Sequence, residues 1–256
     1  MNKKNYISRG EAEIWQYISN KEIIGNKLIK DIFPEIKESR INKALSSLCC
    51  KGYIHRARRN LYYNPLLLKS PYNLALMLHE GYIGLSSALR EYNLIEYEDF
   101  TIFVITKTFR KNIQLKGTKY EVIFLPLGKL FTGFEKKGNF YISSIEKTIF
   151  DCFLKPRYIG YTNLTKAVYD AKIDWDKFIG FFRLTGNSSI CQRTGYMLEM
   201  MKKETKLKIP SFVFEYLLQK VKNPVRLTSV KGKTRFNKKW KVQDNVGKEN
   251  ILSWWQ

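Results

Sequence analysis

The sequence predicts an α+β protein. An N-terminal winged helix-turn-helix over residues 1–66 is followed by a larger mixed α/β C-terminal domain over residues 70–256. Three observations predict it. Three short helical patterns run into a basic hairpin before Asn64. Two helical patterns, a set of strand-like runs and then a series of helical patterns follow through the rest of the chain. Between residues 39 and 79 there is no aspartate or glutamate, although Arg40, Lys43, Lys51, Arg56, Arg58, Arg59 and Lys69 all fall there.

Taken in order, Ile14, Trp15 and Ile18 sit at helical spacing between Arg9 and Asn20. Gly25 interrupts the chain. Leu28, Ile29 and Ile32 then mark a second helix that Pro34 closes. A third helix is expected over residues 37–51. Its apolar stripe is Ile41, Ala44, Leu45 and Leu48, the i, i+3, i+4, i+7 pattern of a one-sided helix. Gly52 stands where a helix stop belongs. Tyr53-Ile54-His55-Arg56 and Leu61-Tyr62-Tyr63 read as paired strands. Ala57-Arg58-Arg59-Asn60 reads as their turn, since Asn tolerates the left-handed conformation.

Asn64-Pro65 ends the hairpin. Ser70 is a good N-cap and Pro71 a good first residue for a helix over residues 71–80. Another helix starts after Gly84. Strands are expected over residues 101–106, 120–125 and 140–142, with turns at Lys116-Gly117 and Lys137-Gly138-Asn139. Helices are expected over residues 144–153, 164–171, 175–184, 190–205 and 211–220. No internal repeat or low-complexity linker is present.

Composition narrows the function. The chain has 256 residues, 44% hydrophobic and 14% aromatic, which suits packed cores rather than disorder. Its 45 basic and 23 acidic residues give a formal net charge of +22, an attraction for polyanions. The opening Met-Asn-Lys-Lys-Asn lacks a signal peptide's apolar region, and no run approaches the ~18 apolar residues of a membrane span. The four cysteines Cys49, Cys50, Cys152 and Cys191 have no Cys-x-x-Cys spacing and read as thiols in a reducing cytoplasm. With only His55 and His79, no usual zinc motif can be assembled. No membrane partner, metal or cofactor is expected.

From residue 39 on, the helix and hairpin carry only positive charge, which suits a groove lined by phosphates, so double-stranded DNA is the expected partner. In a winged helix the third helix enters the major groove and the hairpin lies on phosphates or in the minor groove. Arg40 and Asn42 have forked donors suited to guanine and adenine edges. Ser39, Lys43, Ser46 and Ser47 share their helix face. Arg56, Arg58, Arg59 and Asn60 form the basic hairpin, and Lys27 on the second helix suits a backbone contact. The alternative reading is a solvated polar face.

Between residues 202 and 241 thirteen Lys or Arg stand against Glu204 and Glu215. Lys231, Lys233, Arg235, Lys238 and Lys239 make a second basic surface there. It reads as a further polyanion contact, a surface for an acidic partner, or a solvated face.

No catalytic residue is expected. A restriction-type nuclease needs an acid and then Glu-x-Lys on a strand. The nearest acids are Asp99 and Glu121, but Ile123 stands where lysine is needed. No P-loop, Gly-x-Gly-x-x-Gly, Gly-x-Ser-x-Gly or His-Glu-x-x-His occurs.

Several segments follow one another in a fixed order. After a short winged helix ending in Lys51-Gly52-Tyr53-Ile54 come Gly81-Tyr-Ile-Gly-Leu-Ser-Ser-Ala-Leu-Arg90-Glu-Tyr-Asn-Leu94 and Ile142-Ser-Ser-Ile-Glu-Lys-Thr-Ile-Phe-Asp151. Arg193-Thr-Gly-Tyr-Met-Leu-Glu199 and Lys239-Trp-Lys-Val-Gln-Asp-Asn245 follow. The ordered set resembles the AbiEi family of type IV antitoxins and related transcriptional regulators of viral defence systems. It covers nearly the whole chain, to about residue 246. The resemblance implies a repressor that binds operator repeats upstream of its own operon. It also implies a C-terminal body that counteracts a nucleotidyltransferase toxin, without requiring a stable complex. The family's hairpin glycine is replaced here by Asn60. Glu146, Thr148 and Asp151 are expected to cap and brace a helix. Arg193 and Glu199 are expected either to pair internally or to meet a partner. The alternatives are a stand-alone regulator with no toxin, and a metal-dependent nuclease.

Overall fold

The computed structural model describes residues 6–69, 71–96, 100–230, 232 and 234–255. The chain is mixed α+β, with helices and several sheets.

The first helix, α1 (Arg9–Ile18), is fixed at its start by Glu11, whose carboxylate accepts the Ser8 N–H at 2.7 Å. A strand β1 (Ile23–Gly25) leads into α2 (Asn26–Ile32). Next comes α3 (Glu38–Cys50), within a residue of the expected bounds at each end. Its stripe Ile41, Ala44, Leu45 and Leu48 is buried with Ile14, Ile18, Ile24, Ile29 and Ile54 in one core. Removing that stripe from water is the main drive for docking α3 on α1, at roughly 1.5–3 kcal/mol per large aliphatic side chain. Gly52, at φ 80°, ends α3: its N–H reaches the Cys49 carbonyl and the Tyr53 N–H reaches that of Leu48.

The hairpin differs from expectation in its register. Strand β2 (His55–Arg58) starts later than Tyr53 and runs through Ala57 and Arg58, which were expected in the turn. It pairs with β3 (Leu61–Tyr63), leaving Arg59-Asn60 as the turn, with Asn60 at φ 61°. A register shift between Arg56 and Arg58 makes Ala57 the extra residue of a bulge. Strand β1 was not foreseen from the sequence. It pairs with the other edge of β3, giving the antiparallel order β1-β3-β2. As the central strand, β3 is buried at all of Leu61, Tyr62 and Tyr63 rather than alternately.

The chain continues through α4 (Pro71–Leu78), β4 (Tyr82–Ile83), α5 (Leu85–Glu91) and β5 (Thr101–Thr106). The expected cap Ser70 lies outside the described residues. Then come β6 (Ile113–Gln114), β7 (Glu121–Pro126), β8 (Phe134–Lys137) and β9 (Phe140–Ser143). These strands form a six-stranded sheet, β6-β7-β5-β4-β9-β8. In it β4 is antiparallel to β5 and parallel to β9.

Helix α6 (Ile145–Leu154) is capped by Ser144, which accepts the Lys147 N–H. It packs against α5, α7 (Tyr161–Asp170), α8 (Trp175–Thr185) and α9 (Ser188–Glu204). After α10 (Ser211–Gln219), strands β10 (Val225–Arg226), β11 (Arg235–Asn237) and β12 (Val242–Asp244) form a small mixed sheet, followed by α11 (Lys248–Ile251).

The residues fall into two compact units. The first takes the described residues up to Glu80 with Phe100–Ile102 and Lys111–Ile123, so it runs past the expected boundary at residue 66. The second takes the remainder.

Candidate nucleic-acid interface

Helix α3 fixes where its polar residues point. Successive residues turn by about 100°. Ser39, Lys43 and Ser46 therefore lie directly opposite the buried stripe, and all are exposed. Arg40 and Ser47 fall on the flank toward α1. There Arg40 meets Glu13 at 3.5 Å, and both side chains are well exposed. An exposed pair of this kind contributes about 0–1 kcal/mol, so the guanidinium is readily released to another acceptor. Ser47 is half-buried. On that flank it is less exposed than Ser39, Lys43 and Ser46. Glu11 accepts from Lys51 at 2.5 Å, and that bond, first among the causes, holds the Glu11 carboxyl down at about 2.

Asn42 lies on the opposite flank with Cys49, half-buried. Cys49 lies near Arg56, and burial pushes its thiol up to about 11, so no anion forms there. On the hairpin, Arg56, Arg58, Arg59 and Asn60 are exposed. The Arg56 side chain donates to the Arg58 carbonyl at 3.4 Å, which lays it along the strand. Among the described residues, no carboxylate pairs with Lys43, Arg56, Arg58 or Arg59. The structure thus gathers Ser39, Arg40, Asn42, Lys43, Ser46 and the hairpin arginines on one unit. The Lys27 side chain lies outside the described residues.

The second basic surface is less coherent. Lys231 and Lys233 lie outside the described residues. Arg235 and Lys238 are exposed. Lys239 is tied to Glu199 and sits 5.7 Å from the Trp240 ring centre.

Several residues of the ordered motifs are engaged within the second unit. Glu146 accepts the Asp174 N–H at 3.2 Å, at the start of α8. Thr148 bonds the Ser143 hydroxyl at 2.6 Å. Asp151 pairs with Lys147 at 2.5 Å, and neither side chain is exposed at all. The rings of Tyr82, Phe150 and Phe181 surround the Lys147 ammonium at 5.5–5.9 Å. Burial pushes the carboxyl up and the ammonium down, each toward its neutral form. Arg193 donates to the Arg226 carbonyl at 2.8 Å, and Glu199 accepts the Trp240 indole N–H at 3.0 Å. These side chains brace the body, as expected for Glu146, Thr148 and Asp151.

Sequence reasoning missed Lys116 and Lys119, which belong to the first unit. Their signal was a second acid-free run, residues 100–120. Of the nuclease acids, Asp99 lies outside the described residues and Glu121 sits on β7. Among the described residues no three His, Cys, Asp or Glu side chains gather as metal ligands would. No described helix is long and apolar enough to cross a membrane.

Fold and site together define a mixed α+β chain with a cationic helix-and-hairpin face. No family model matches the chain, and no curated protein does. Its fold is similar to that of the RV2827C protein from Mycobacterium tuberculosis, known from a crystal structure, with a TM-score of 0.64. That similarity covers 96% of this chain and 94% of the other at 13% sequence identity.

Proposed function

We propose that this protein is a sequence-specific DNA-binding transcriptional repressor that autoregulates its operon. The first unit would act as a winged helix-turn-helix, with α3 reading the major groove and the β2–β3 hairpin as the wing. One observation carries the reading: Ser39, Lys43 and Ser46 face away from the core beside three exposed hairpin arginines that no described carboxylate neutralises. The antitoxin role, counteracting a nucleotidyltransferase toxin of a type IV system, rests on the ordered family motifs. Glu146, Thr148 and Asp151 of those motifs are buried in the second unit, so they support a shared fold more than a shared contact surface.

The test is a gel-shift series on the DNA upstream of the chain's own reading frame, with random duplex as competitor. Retention of the upstream duplex against excess random DNA is expected. Equal competition by both would sink the repressor reading. Co-expression with the product of an adjacent nucleotidyltransferase frame tests the antitoxin half, with restored growth as the expected result.

A further inference from the structure

The first unit recruits a segment from far along the chain, the β6–β7 hairpin. Its turn is locked to the base of the wing by main-chain groups. The Tyr63 hydroxyl donates to the Lys116 carbonyl at 2.7 Å. Leu115 is fully buried, and the Thr118 hydroxyl donates to its carbonyl at 2.7 Å. Gly117 takes φ 74°, and a Cβ there would stand 2.5 Å from His55 Nε2 and 3.1 Å from the Pro65 ring. The turn therefore fits against His55 and Pro65 as glycine and nothing larger.

This anchoring leaves the lysine side chains outside. Lys116 and Lys119 are both exposed, and no described carboxylate pairs with either. Lys116 stands close enough to His55 that its charge adds to burial in lowering the imidazole pKa. Lys119 is held 5.0 Å over the Phe100 ring. His55 begins β2 and Arg58 ends it, so the turn sits about 10 Å along the strand from the hairpin's basic tip, at about 3.3 Å per residue. That is about one Debye length at ordinary salt, and a short step along a phosphate backbone.

We infer that Lys116 and Lys119 extend the DNA interface beyond the wing, contacting backbone phosphates that flank the sequence read by α3. The inference rests on the DNA-binding reading above. It assigns these lysines to positioning rather than base recognition, since a compact ammonium on a flexible stem reads charge and not base edges.

The experiment is the salt dependence of binding by the full chain to its upstream duplex. The Lys116→Ala/Lys119→Ala double variant should lower the log–log slope by about 2, one unit for each phosphate no longer neutralised. The ratio of specific to random-duplex affinity should stay as in the wild type. The Tyr63 bond uses the Lys116 carbonyl, so the variant should unfold at the wild-type temperature. A matched pair at exposed lysines of the second unit, Lys129→Ala/Lys136→Ala, controls for net charge. A wild-type slope in the Lys116/Lys119 variant, or an equal drop in the control pair, overturns the inference while leaving the repressor reading intact. Failure of the wild-type protein to bind duplex DNA sinks both.

Discussion

At the residue scale, the α3 face divides by what each side chain already holds. Arg40 has a weak partner in Glu13 and a forked donor, so it suits base reading. Arg58 projects from the hairpin with no described carboxylate beside it. Arg40→Ala should relax base preference, weakening binding by about 1–3 kcal/mol on the preferred sequence alone. Arg58→Ala should weaken all sequences alike. Binding isotherms on operator and scrambled duplexes separate the two, and equal effects from both would refute the assignment. Glu11 gives a stability prediction. Its carboxyl is lowered from 4.5 to about 2, first by Lys51 and then by Ser47. A group depressed in the folded state contributes stability above its unfolded pKa and loses it as pH falls through the folded one. Glu11→Gln should therefore cost about 2 kcal/mol near neutrality. The gap to wild type should close between about pH 5 and about pH 2 in urea titrations.

At the element scale, α6 is the strut of the second unit, with Glu146 through Phe153 all buried. Its Lys147–Asp151 pair lies one helical turn apart inside an aromatic box. Asp151→Asn leaves the lysine buried without its counter-charge and should cost about 3–5 kcal/mol. The combined Lys147→Met/Asp151→Leu variant removes both charges. It should recover most of that loss in denaturant unfolding, and recovery of none would show that the pair's specific geometry matters. The elements also show what sequence could reveal. Helices of ten to seventeen residues, such as α3, α6 and α9, repeat their apolar stripe often enough to be read directly. Strands β1, β4, β6 and β10 have two or three residues each, too few for a period. β8 escaped because all four of its residues are exposed.

At the scale of the whole molecule, +22 of net charge makes any polyanion attractive, so the informative quantity is salt dependence rather than affinity alone. If about six phosphates are neutralised, the log–log slope should lie near −5. A slope near −1 would mean that the helix and hairpin do not lie on the backbone together. The cationic face was legible because the local absence of acids is visible in one dimension. The Lys51–Glu11 ion pair was not, because it joins residues 40 positions apart. The membership of Lys116 and Lys119 in the first unit was hidden for the same reason. Only the folded register brings their turn beside Tyr63.

That turn bears on how the protein is made. The first unit is finished by residues up to Ile123, roughly forty positions after Glu80. At about 5–20 residues per second on the ribosome, the nascent unit waits some seconds for its last piece. Until then the Tyr63 hydroxyl has no Lys116 carbonyl to meet, and the side of the hairpin that will receive Gly117 stands open to water. A fragment cut at residue 66 would stay in that state permanently. Expression of the N-terminal region alone should therefore yield a looser, protease-sensitive product, and the shortest self-sufficient piece should extend to at least Ile123.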